Sequence, residues 1–183
     1  MGIGRFSCLI AFMLAVVATI APAPRALAQA PAPGPAQPDL TPAISLAEAR
    51  SIIGGAIAFA RANNFRLAVA VVDASGSVVS LDTMDGVRAN DTLGAEGKAF
   101  AAAIFRQTTQ ELSELHESRP DRFFGIINLY PGKVYLVGGG VPLVRDGKLV
   151  GGVGVAGLHQ FVDEKAARAG IAAWEALRAN GKK

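Results

Sequence analysis

The 183-residue chain is poor in the side chains on which much protein chemistry depends. It holds one cysteine, one tryptophan and two histidines. The cysteine, Cys8, lies inside an N-terminal segment with the marks of an export leader. Arg5 supplies a positive start, Leu9 to Ile20 is almost wholly apolar, and Ala26-Leu27-Ala28 fits a small-residue cleavage site. The apolar run is short of the roughly 20 residues a membrane span requires, so residues 1–28 read as a leader rather than an anchor. Cys8 precedes the run, which removes a lipidated cysteine at the cleavage site. No twin arginine marks a folded-export signal. The mature chain then has no cysteine, which excludes disulfides, thiolate zinc sites and cysteine nucleophiles. A surplus of charge is missing too. Arg5 and Arg25 leave with the leader and no acid does, so the 18 basic residues become 16 against 15 acids. A basic face for nucleic acid is not expected from that balance.

Gln29 to Pro42 is rich in alanine and proline and reads as an extended linker over 29–43. The remaining residues, 44–180, form one domain large enough for its own core. Export places this domain in the periplasm or outside the cell, with no membrane contact after cleavage.

Ser45-Leu46-Ala47-Glu48 has the spacing of a capping box, and Ile52, Ile53, Ala56 and Ala60 follow at helical intervals to about Asn63. Leu67 to Asp73 reads as a strand buried on both faces, joined by Ala74-Ser75-Gly76-Ser77 to a second strand at Val78–Asp82. Asn90 or Asp91 is placed to cap one long helix to about His116, which Arg119-Pro120 ends or redirects. Phe123 to Pro131 has no clear assignment; its aromatics suit the edge of a pocket. Val134 to Val137 reads as a third strand. Asp146-Gly147 between Val141–Val144 and Leu149–Val155 predicts a type I′ hairpin, because both central residues need positive φ. A last helix covers Phe161 to Ala179. The order predicts an α+β domain with a five-stranded, mainly antiparallel sheet.

Few motifs survive scrutiny. Gly152-Val153-Gly154-Val155-Ala156-Gly157 spells a dinucleotide fingerprint, but only one helix follows it and no second parallel strand remains. These glycines are read as structural. His116 reads as a solvated imidazolium at a helix end, and His159 as a loop residue equally suited to surface or ligand duty. Lys98 reads as a solvated helix lysine, Trp174 as core. Ser113 beside His116 is a weak hydrolase arrangement, and Asp82 and Asp85 are turn residues.

Four segments carry a resemblance: VAVVDASGSVVSLDTMDG (Val69–Gly86), AEGKAFAAAIF (Ala95–Phe105), GGGVPLVRDGKLVGGVGVAG (Gly138–Gly157), and Asp163 with Ala169-Gly170. In this order and spacing they resemble the GlcG/HbpS family of heme-binding and related proteins, over about Ile44 to Leu177. The resemblance implies a profilin-like or PAS-like α-β-α sandwich that assembles into homo-oligomers. It also implies binding of heme or a related small molecule, in some relatives beside a sensor or redox partner. Relatives place a threonine of the central helix near heme iron, and Thr109 best matches it. A first-helix histidine used by other relatives has no counterpart between Ser45 and Asn64, and Leu158-His159 stands where small or hydroxyl residues are common. The iron contacts implied are thus Thr109, His116 and His159, with Lys98 or Arg106 meeting propionates. The reading is a non-catalytic heme binder. Its rivals are a small-molecule lyase or isomerase (or oxidoreductase accessory) using Lys98, Asp85 or His159, and an oligomeric interaction module.

Overall fold

The computed structural model describes residues 43–180. The expected leader and nearly all of the expected linker lie outside the described residues. Helix α1 spans Leu46–Ala62 and opens as its sequence requires. The Ser45 hydroxyl accepts from the Glu48 amide at 3.2 Å, and the Glu48 carboxylate accepts from the Ser45 amide at 2.9 Å. Strands β1 (Ala68–Asp73) and β2 (Val78–Thr83) form an antiparallel hairpin. The Asp73 carboxylate fixes its turn by accepting from the Ser75 and Ser77 amides. Strands β3 (Gly140–Arg145) and β4 (Lys148–Ala156) form the second hairpin. Asp146 at φ 50° and Gly147 at φ 78° make the expected left-handed turn.

The sheet has four strands in the order β2-β1-β4-β3, all antiparallel, rather than the expected five. The segment 134–137 is not a strand. Its Tyr135 amide donates to the Gly97 carbonyl of a helix at 3.3 Å, and Leu136 buries against Ala101 and Leu112. Backbone spent on a helix is unavailable to a ladder.

Side-chain alternation decides what covers each face. Val69, Val71, Val153 and Val155 point to the layer made by α1 and the final helix α5, Gln160–Asn180. Trp174 is buried in that layer and donates from Nε1 to Glu48 at 3.1 Å. The other face presents Ala68, Ala70, Val72 and Ala156 to Ala95, Ala99 and Ala103 of α2, Ala89–Phe105. Here β4 carries Gly152 and Gly154. A methyl at Gly154 would fall on the Ala95 carbonyl, and one at Gly152 on the Ala99 carbonyl. The alanine-rich helix therefore lies directly on strand backbone. The nucleotide-like glycines serve packing, as read.

The single long helix is also corrected. Chain direction changes at Arg106, which is left-handed at φ 55°. Thr108 and Glu111 form a second capping box, and it starts a separate helix, α3, at Thr109–Ser118. Pro120 then opens α4, Pro120–Leu129, where proline's missing amide costs nothing. The start of α2 differs as well. Arg88 is its N-cap without a side-chain cap bond, and Asp91 in the first turn pairs with the Arg88 guanidinium at 2.9 Å.

Candidate functional site

Lys98 is not the solvated lysine expected from sequence. It is 2% exposed, and its ammonium donates to Asp163 at 2.8 Å and to the Val155 carbonyl at 2.9 Å. Burial pushes the lysine pKa down and the Asp163 carboxyl up, each opposed by the other's charge. The second Asp163 oxygen accepts from the Leu158 amide at 3.1 Å. The pair joins α2 to the first turn of α5 beside Gly139, where an added methyl would meet the Lys98 ammonium. Thr109 is fully buried, and its hydroxyl accepts from the Gly140 amide at 2.7 Å. That bond ties the start of α3 to the edge strand β3.

His159 is exposed. Its carbonyl accepts from the Val162 and Asp163 amides and so starts α5, while its ring leans on Phe161 at 5.2 Å. Arg106 is exposed at the joint between α2 and α3. Asp85 lines a separate polar cleft of about 600 Å³ with Arg61, Arg66 and Asp82. No hydrogen bond links any two of Lys98, Asp85 and His159 among the described residues. The acid–base set of the enzymatic reading is not assembled.

His116 departs furthest from expectation. It is 9% exposed rather than solvated. Phe123 of α4 covers it edge-on, ring centres 4.7 Å apart, and neither ring nitrogen has a hydrogen-bond partner. Burial, with the Arg122 charge beside it, holds the imidazole below its usual pKa. A neutral imidazole with a free lone pair is the form that ligates a metal. Leu112 stands one turn earlier on the same face of α3. From there a cleft of about 410 Å³ opens between α3 and α4, walled by Phe105, Leu112, Leu115, Ile126 and Leu129. Its polar side chains are Arg122 and Gln107. Such a volume, mostly apolar with few polar groups, suits a small organic ligand. No cluster of three or more His, Cys, Asp or Glu able to hold a bare metal ion occurs among the described residues. Iron would therefore have to arrive carrying most of its own ligands, as it does in a porphyrin.

The sequence points to a pocket edge at Phe123 to Pro131 but not to the α3–α4 cleft, because its pattern joins α3 to α2 and leaves α4 without an assignment. The Thr108-x-x-Glu111 box was the signal that would have separated them.

Comparison with known proteins gives a consistent result. Residues 44–172 match the family described as haem degrading protein HbpS-like. GlcG of Escherichia coli strain K12 is 31% identical over 107 residues, 58% of this chain and 76% of GlcG. The crystal structure of HbpS aligns with TM-score 0.66 at 30% identity, over 73% of this chain and 91% of HbpS. A crystal structure described as a PduOC:heme complex aligns equally well, at TM-score 0.66 and 30% identity over 72% and 94%.

Proposed function

Because the chain belongs to the HbpS-like family, we propose that it is an exported, non-catalytic heme-binding protein with its ligand in the α3–α4 cleft. The observation that carries this reading is His116: a buried base with two unpartnered nitrogens, one helical turn beyond Leu112, which lines the apolar cleft. The heme complex of a structural relative supports the ligand class. Bound there, heme supplies the iron chemistry. The chain supplies one nitrogen ligand, apolar walls and a cation at the rim. Phe123 packs edge-on over His116 and would have to move for a ligand to reach the ring.

Thr109 and His159 are the competing iron contacts. Thr109 would have to surrender its bond to Gly140, and His159 lacks an enclosing apolar wall. Lys98 stays with Asp163, and Arg106, exposed at the joint between α2 and α3, does not line the cleft. In the periplasm or outside the cell, such a protein would report heme or iron status to a sensor partner and work as a homo-oligomer.

Heme titration of the mature protein, with Thr109→Ala, His116→Ala and His159→Ala in parallel, tests the reading. A Soret shift at micromolar heme, lost in His116→Ala alone, is expected. No shift in the wild-type protein would remove heme binding, and a shift unchanged in His116→Ala would move the site elsewhere.

A further inference from the structure

We propose that Arg122 is the carboxylate receptor of the α3–α4 cleft, making it selective for ligands that join an acidic group to an apolar body. The inference rests on the cleft being the ligand site and adds the class of ligand it takes. Arg122 is the only charged side chain in the cleft wall; no acid lines it. It makes no salt bridge among the described residues, although acids are close in sequence.

Each nearby acid is accounted for. Asp121 is held by Arg119 through two bonds, at 3.1 and 3.0 Å. Glu111 is engaged in capping at Thr108, and Glu114 accepts from Gln110. Glu117 is exposed and does not line the cleft. Arg119, three residues away, is thus neutralised locally, whereas Arg122 remains a free guanidinium at an apolar opening. A planar fork in that place matches a carboxylate with two parallel bonds.

A charge-assisted bond of this kind changes affinity roughly ten- to hundredfold. The test compares heme with heme dimethyl ester, whose carboxylates are blocked, on the mature wild-type protein and on Arg122→Gln, Arg122→Lys and Arg106→Gln. The wild-type protein should prefer heme to its ester by about tenfold or more. Arg122→Gln should lose that preference by weakening heme binding alone, with ester affinity and the spectrum of the bound iron unchanged. Arg122→Lys should retain part of it. The proposal is overturned if Arg122→Gln keeps the preference, if it weakens heme and ester equally, or if Arg106→Gln is the variant that loses it. Each of those results leaves heme binding at His116 standing. A wild-type protein that binds neither compound removes the cleft reading, and this inference with it.

Discussion

The junction of β4 with α2 and the α3–α4 pair lie one chain joint apart, yet they are built by opposite rules. At the junction, buried polar groups are met: Lys98 by Asp163 and the Val155 carbonyl, Asp163 also by the Leu158 amide, Thr109 by Gly140. On α3 they are not. Gln110 Oε1 and both His116 nitrogens, all on that helix, are the buried side-chain atoms lacking a partner among the described residues. The neighbouring α4 buries no residue and exposes Phe124, Ile127 and Leu129. An unmet buried polar group costs about 1–3 kcal/mol, so a fold keeps several together only where they are offset elsewhere. The difference teaches that met and unmet buried polar groups are kept in separate parts of the chain. The glycine–alanine junction and the α1–α5 layer hold the fold, and the less buried helix pair is where we propose a ligand is received.

The largest effect should come from breaking the junction. Lys98→Met leaves the Asp163 carboxylate buried without its cation and should cost about 3–5 kcal/mol in denaturant unfolding. Adding Asp163→Leu should recover most of that loss, since the buried charge is then gone as well. A single variant as stable as the wild type would show that the pair contributes little to the fold.

Glu48 gives a smaller effect with a defined pH window. Burial pushes its carboxyl up. Bonds from the Ser45 amide, the Trp174 indole, the Ser45 hydroxyl and Arg145 outweigh this and hold it at about 2, against an ordinary 4.5. A depressed carboxyl stabilises the fold above its unfolded pKa, and that contribution fades as pH falls from 4.5 toward 2. Glu48→Gln should therefore cost about 2–3 kcal/mol at neutral pH and lose less than the wild type across the acid window, by thermal melts at each pH.

The smallest effect belongs to the helix pair. Phe124 is 65% exposed, and Phe124→Ser should alter stability by no more than about 0.5 kcal/mol. A loss matching Lys98→Met would erase the contrast between the two regions.

What could be seen in the sequence follows the same division. The α1 capping box, the buried first strand and the Asp146-Gly147 hairpin were legible because each rests on local chemistry: a cap, a β-branched run, a turn needing positive φ. The packing role of Gly152 and Gly154 was legible from the lack of any second parallel strand. The fourfold count of strands was not, because 134–137 has a strand's composition and only the three-dimensional approach of Gly97 claims its backbone. His116 looked like a helix-end cation because α4 was invisible, and it is α4 that buries it. Lys98 looked solvated because its partner lies 65 residues away, across a contact no local pattern encodes. Isolated helix lysines are nearly always exposed, so nothing on α2 itself marked this one.

The most direct test is chemical rescue at His116. The absorption spectrum of heme-loaded His116→Ala would be recorded with and without added imidazole. The account predicts that the variant loses the wild-type iron spectrum and that imidazole, filling the vacated space behind Phe123, restores it. A His116→Ala protein that keeps the wild-type spectrum and heme affinity without imidazole would contradict the account.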